Sequence, residues 1–239
     1  MSIWILGERP PASAPEFVNS VYPSVVPYLT EFLTAKHPYR KGAMCPFMPQ
    51  AIEEKRVYFS YCDGTSEDCR NVIKKCIKHH RENKSEVKSS YIILFRQGFE
   101  IPRLLRLHIE NKIRCIKNAI MIGALYSTSM APSLHSEKYF PLRTPSPILV
   151  LRDLTPSDLV FLEPGHYSSW AKYGFLRSFI KEFSSSNSGY AKRQVDLARQ
   201  LMNKYKKGII KSLVFWLCGI TVLAITVLFV QGWLYVFKG

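Results

Sequence analysis

Between Ser212 and Phe237 the chain carries no charged side chain. The centre of that run, Leu213 to Val230, spans ~27 Å as a helix at ~1.5 Å per residue, close to the ~30 Å of a bilayer's hydrocarbon core. A helix apolar on every side has no face to turn to water, so the run is expected to cross a membrane rather than to fill a protein core. Trp216 near one end, and Trp233 and Tyr235 near the other, fall where amphipathic rings prefer the headgroup level. The transmembrane helix is placed over 209–237, followed only by Lys238 and Gly239.

Topology follows from charge. Seven Lys/Arg and one Asp lie between Lys192 and Lys211, and the positive-inside bias keeps that side in the cytoplasm. The opening MSIWILGERPPASAP has no basic leader and puts Glu8 and Arg9 where a signal peptide needs apolar residues. The expectation is a tail-anchored, single-pass membrane protein whose N-terminal domain is cytoplasmic. Its six cysteines, Cys45, Cys62, Cys69, Cys76, Cys115 and Cys218, are then reduced thiols rather than a disulfide framework. Next to the span, 191–208 reads as a basic amphipathic helix with Val195, Ala198, Leu201, Met202 and Tyr205 at helical spacing. It is expected to bend at Gly208, with its apolar stripe in the headgroup region and Lys204, Lys206, Lys207 and Lys211 on anionic lipid headgroups. The lipid bilayer is the expected partner.

The rest of the 239 residues can bury a core, since 47% are apolar and 21% charged, which excludes wholesale disorder. The proline-rich first 40 residues are expected to wrap a surface, with one helix from Ser24 to Ala35. Arg56–Cys62, Tyr91–Phe95, Ile120–Tyr126 and Pro147–Arg152 read as strands. Ser66–Arg81 and Pro102–Ala119 read as helices, followed by a short helix from Pro156 to Leu162 and another over Ser168–Phe183. The fold class is α+β, a mainly antiparallel sheet with packed helices plus the C-terminal span. The cytosolic domain is 1–183, and a Ser-rich linker occupies 184–190.

The net charge of +15 calls for an anionic partner. Thirteen Lys/Arg stand against four Glu between Arg70 and Lys117, a pattern that suits solvated helix faces near an anionic leaflet and that could also meet phosphate. Nucleic acid is not the expected partner, because the aromatics lie in the Tyr91–Phe95 strand rather than between the basic residues. Cys69, Cys76 and His80 share one face of the Ser66–Arg81 helix with Val72, Ile73 and Ile77, which reads as a core face rather than a zinc site. The sequence lacks the Walker A, nucleophile-elbow, zincin and Rossmann signatures, so those chemistries have no support.

Three stretches carry a resemblance: His37-Pro38 followed by Cys45-Pro46-Phe47, then Ala119-Ile-Met-Ile-Gly-Ala-Leu-Tyr126, and Ser133-Leu-His-Ser136 with Tyr139-Phe-Pro-Leu-Arg-Thr-Pro-Ser-Pro-Ile-Leu-Val-Leu-Arg152. Together they resemble a bacterial family catalogued as domain of unknown function 6875, over about residues 31–162. Arg40 and Lys41 replace a Gly and an Arg of the family pattern, the strand ends in Ala124-Leu-Tyr-Ser127 without its His, and Ser136 stands for Asn. The family is distantly similar to haem-dependent guanidine N-hydroxylases, and a Cys-Pro pair resists helix formation and leaves a thiolate able to take an axial position on iron. Two readings stand. In one, a ligand-binding, haem-dependent oxidoreductase uses Cys45 as axial or reactive thiol and His37 as proton carrier, while Arg143 and Arg152 hold an anionic group of a small-molecule ligand or cofactor. In the other, the domain is a non-enzymatic, membrane-localised sensor or protein-interaction module.

Overall fold

The structure is a computed structural model that describes residues 2–162, 165–210 and 213. It has two compact units, one ending at Thr155 and one beginning at Pro156.

The first unit is a five-stranded sheet between two helical layers. Its strands are β1 (Trp4–Ile5), β2 (Val57–Tyr61), β3 (Ser90–Leu94), β4 (Ile120–Leu125) and β5 (Ile148–Asp153), in the order β1-β2-β3-β5-β4. Side chains alternate across it as the strand period requires. Tyr58, Tyr91, Ile93, Leu149, Leu151, Ile120 and Ile122 enter one apolar cluster, whereas Val57, Phe59, Ile92, Leu94 and Ile148 enter the other. Burial on both faces explains why Val57–Tyr61 and Tyr91–Leu94 are nearly unbroken aromatic and β-branched runs.

The first cluster is closed by α3 (Ser66–Glu82) and α4 (Ile101–Ile116). Thr65 caps α3, its Oγ1 accepting from the Asp68 N–H at 3.1 Å. Cys69, Val72, Ile73, Cys76, Ile77 and His80 form its buried stripe, so the thiols and the histidine are core groups, as their spacing implies. The second cluster is closed by α1 (Glu16–Pro27), a π-helical turn (Tyr28–Phe32) and α2 (Met48–Glu53).

Two expectations are corrected here. The sheet is mixed rather than mainly antiparallel: β2 and β3 run parallel, in register from Val57 opposite Ser90 to Tyr61 opposite Leu94. The reason is α3, which carries the chain back along the sheet between them, as a parallel pair requires. The N-terminal region also contributes core rather than a surface wrap. Its helix starts at Glu16, and Val18, Val21 and Val25 are buried at helical spacing. Pro23 and Pro27 lie inside it, and the backbone eases into the π turn, where the Leu33 N–H reaches the Tyr28 carbonyl at 3.0 Å.

In the second unit a 3-10 helix (Pro156–Leu162) precedes α5 (Ser169–Phe183), which is capped by Ser168, and a further helix, α6, occupies 189–210. Residues 184–188 form the short turn between α5 and α6, and Lys172 near the start of α5 lies over the Tyr205 ring late in α6 at 5.1 Å. The two helices are therefore an antiparallel pair. The helix runs unbroken through Gly208. Of its stripe residues, Val195 and Ala198 are buried, and Leu201, Met202 and Tyr205 are half-buried. Lys204, Lys206 and Lys207 are exposed, and Lys211 lies outside the described residues. So does the expected span, of which only Leu213 is described; among the described residues no helix is long and apolar enough to cross a membrane.

Candidate functional site

Of the residues singled out from sequence, His37, Cys45 and Arg143 sit on two loops at one end of the first unit's sheet. The first loop, 33–47, is a tight return. Its backbone is closed by bonds from the His37 N–H to the Gly42 carbonyl at 2.9 Å, from Met44 to Ala35 at 2.7 Å and from Cys45 to Leu33 at 2.9 Å. Gly42, at φ +93°, makes the return in a backbone region that side chains avoid. The Arg40 guanidinium fills the inside of the loop, donating to the carbonyls of Lys41, Ala43 and Met44 at 2.9, 2.6 and 2.8 Å.

The second loop, 126–147, joins β4 to its neighbour β5 without regular structure of its own. Loops that long inside a compact unit usually bind or cover something. This one is pinned at several points. The Tyr28 hydroxyl donates to the Pro141 carbonyl at 2.7 Å, Ser146 Oγ donates to Gln97 Oε1 at 2.8 Å, and Ser146 and Ser24 hydroxyls meet at 3.1 Å.

The loops meet around His37. Its ring lies 5.3 Å from that of His135, edge-on, and 5.7 Å from that of Tyr139, while Tyr39 stacks obliquely on Tyr139 at 5.7 Å. The Tyr139 hydroxyl reaches Met44 Sδ at 3.3 Å. His37 is buried, and its Nδ1 accepts from the Tyr39 N–H at 3.0 Å, which puts the ring proton on Nε2. Burial lowers its pKa, and Arg40 and His135 lower it further. His37 is thus a neutral imidazole whose basic lone pair is already used: it can donate from Nε2 but is not a ready general base.

Cys45 is half-buried and packs against the apolar cluster beneath α1 and α2. Tyr28 shares this setting, and its hydroxyl is held above the usual phenol range by burial, then by Cys45 and Tyr139. Arg143 is spent within its own loop: Nε donates to the Ser129 carbonyl at 2.9 Å, Nη2 approaches Met130 Sδ at 3.5 Å and the guanidinium lies 4.3 Å over the Phe140 ring. Arg152 is at the far end of β5, where it donates to the Asp153 carbonyl at 3.0 Å. The structure therefore brings His37 and Cys45 onto one loop and leaves Arg143 and Arg152 apart.

The same loops expose apolar side chains. Met130 and Leu134 are 69% and 66% accessible, and Tyr39, Phe47 and Leu142 also face solvent. A groove of about 480 Å³ lies on the opposite face of the sheet, between α3 and α4.

Sequence reasoning missed His135 and Tyr139 as neighbours of His37. The only pointer was the Leu-His turn at 134–135, read as a mark of resemblance rather than as a contact. It also missed a Ser/His/Asp constellation at the other end of the sheet. Ser89 Oγ lies 3.0 Å from His80 Nδ1, and His80 Nε2 lies 3.6 Å from Asp153 Oδ1. Asp153 Oδ2 accepts from both the Ser89 N–H at 2.7 Å and the Ser89 hydroxyl at 3.1 Å. With Ser89 only 1% accessible, no substrate carbonyl reaches that hydroxyl, and its single proton is contested by histidine and aspartate. The three residues tie the end of α3 to the start of β3 and the end of β5. Beside them the His79 Nδ1 meets the Tyr91 hydroxyl at 2.9 Å.

No curated protein and no solved structure matches the chain. A family model does, over residues 22–193, from within α1 in the first unit to the opening of α6 in the second. The two meeting loops and strands β2 to β5 lie inside that match, and the chain belongs to the family described as Domain of unknown function (DUF6875).

Proposed function

We propose that this protein is a non-enzymatic, membrane-localised sensor or protein-interaction domain, anchored through its apolar run 212–237 with the folded domain on the cytoplasmic side. One observation carries the choice between the two readings. At the junction of the loops three polar groups are engaged by the protein itself: the His37 lone pair by the Tyr39 N–H, Arg40 by three carbonyls and Arg143 by Ser129 and Phe140. Among exposed polar side chains such as Lys41, Glu137 and Lys138, the loops also hold outward the large apolar Tyr39, Phe47, Met130, Leu134 and Leu142. That suits recognition of a partner better than turnover of a substrate. Anchorage is supported by the charge-free run itself and by the basic residues before it, with Lys204, Lys206 and Lys207 on the exposed side of α6 facing anionic headgroups.

The test is one preparation with two readouts. The full chain is expressed with ample haem, its membranes are washed at alkaline pH, and the retained protein is examined by absorbance. The expected result is protein that stays in the pellet and shows no Soret band. Release by the wash would overturn the anchorage, and a Soret band abolished or shifted by Cys45→Ala would restore the haem-dependent oxidoreductase.

A further inference from the structure

The groove between α3 and α4 is lined by Lys74, Ile77, Lys78, Arg81 and Glu82 from one helix and by Arg114 and Asn118 from the other. Buried Ile77 forms its floor, and the charged side chains rise from the floor as its walls. Four cations face it against a single carboxylate. That carboxylate, Glu82, is 3.7 Å from Lys78.

The two arginines are held in place without being neutralised. Arg81 donates Nη2 to the Asn118 side-chain carbonyl, and Asn118 in turn donates Nδ2 to the Arg114 backbone carbonyl at 2.7 Å. Arg114 donates Nη1 to Asn111 Oδ1 at 3.1 Å, and buried Asn111 is fixed by its own bond to the Leu107 carbonyl at 2.8 Å. A guanidinium oriented by a carboxylate has its charge cancelled, whereas one oriented by an amide keeps it. Each guanidinium has five N–H donors and here uses one on a neutral acceptor, leaving donors and charge for something in the groove.

Helix polarity does not account for this arrangement. The negative ends of α3 and α4 explain a cation in each last turn, which covers Arg81 and Arg114. Lys74 stands about two turns before the end of α3, beyond the reach of that effect. The helix ends oppose an incoming anion, so binding is expected to be modest and strongly salt-dependent.

We infer that this groove binds a compact, multiply charged phosphate group, a diphosphate or a clustered phosphomonoester, between Arg81 and Arg114 with Lys74 and Lys78 closing over it. Its volume falls in the range of small-molecule sites. No aromatic ring lines it, so the stacking that single-stranded nucleic acid requires is missing. The chemistry is shared by a soluble polyphosphate and by a phosphorylated lipid headgroup. The site stands on the opposite face of the sheet from the loop junction and does not depend on the function proposed for it.

The test uses the full chain in a neutral detergent and titrates it calorimetrically with pyrophosphate at low salt. Saturable one-to-one binding is expected, at least tenfold weaker in Arg81→Gln/Arg114→Gln and unchanged in Lys41→Gln/Lys138→Gln, which removes the same charge from the loop face. Both variants alter exposed or half-buried side chains, and matching thermal melts check that each is folded. A titration with a water-soluble, short-chain phosphatidylinositol bisphosphate assigns the source. Binding at least tenfold tighter than pyrophosphate, and equally dependent on the two arginines, identifies a headgroup; similar or weaker binding identifies a soluble phosphate. No saturable binding of either probe, or equal losses in the two variants, would overturn the assignment.

Discussion

Gly64 is the position where a single methyl group should cost most. It follows β2 in the Asp63-Gly64 turn, at φ +97°, and a Cβ built there would lie 2.2 Å from Phe99 Cε2 and 2.7 Å from Cζ. Phe99 cannot simply step aside, because it is buried and its ring sits 4.8 Å from that of Phe95. Two costs add in Gly64→Ala: about 1–2 kcal/mol for a side chain at positive φ and about 1–3 kcal/mol for forcing an atom into a filled core. The sum, about 2–5 kcal/mol, corresponds to a fall of roughly 6–15 °C in melting temperature for a unit of this size. Gly98 supplies the control, for it has φ +72° but nothing within 4 Å of an added methyl, so Gly98→Ala should carry the backbone cost alone. Circular dichroism melts of the full chain in neutral detergent measure both. In a Phe99→Leu background the extra cost of Gly64→Ala should shrink toward that of Gly98→Ala. Equal melting temperatures for Gly64→Ala and Gly98→Ala would refute the reasoning, since the contact with Phe99 would then have no energetic consequence.

Other consequences can be measured on the same preparation. Burial holds His80 below its ordinary value of 6.5, against the pull of Asp153 and with help from Lys84, Arg56 and Lys88, and burial likewise lowers His79 and His37. The unfolded chain then takes up protons near pH 6.5 that the folded chain refuses, so stability is full above that pH and declines as pH falls below it. Melting temperature should be level above pH 7 and drop toward pH 5, less steeply in His80→Gln; a value that holds or rises on acidification would contradict this. Thr65→Ala removes the cap of α3 and should cost about 1 kcal/mol in a denaturant titration. Arg143→Ala removes the bond to Ser129 and the contact with Phe140, so limited trypsin digestion should cut within 126–147 several-fold faster while the melting temperature moves by less than about 1 kcal/mol equivalent.

Much of the sheet was legible from residue type, and the reasons it was incomplete are specific. Val57–Tyr61, Ser90–Leu94, Ile120–Leu125 and Ile148–Asp153 announce themselves because strands buried on both faces need long apolar and β-branched runs. The Trp4–Ile5 strand is too short to show any period. Strand direction is not written in side chains; it lay in the spacing, since a 17-residue helix between β2 and β3 is a crossover and implies a parallel pair. The start of α1 was hidden because Pro23 and Pro27 look like breakers, although Val18, Val21 and Val25 carried the helical period through the first of them. At the loop junction, Cys45 and His37 were visible as a local motif. Their partner His135 comes from a loop about a hundred residues away, and no periodicity encodes that meeting. Arg143 and Arg152 were read together as holders of an anionic group, yet one belongs to an irregular loop and the other to the distal end of a strand.

The position of β4 at one edge of the sheet has a bearing on how the chain avoids sticking to itself. Its sequence, Ile-Met-Ile-Gly-Ala-Leu, has no charge, no proline and no bulge, the devices by which edge strands usually repel a second chain. Protection comes instead from the helix before it. The His108 Nε2 on α4 meets the Ile122 carbonyl at 3.1 Å, and the strand is buried except at half-covered Gly123 and Ala124. Only Lys117, Asn118 and Ala119 separate α4 from β4, so helix and strand can close on each other early, before distant segments arrive. This uncharged edge strand thus has its own shield encoded directly upstream, and on a ribosome that shield is made first.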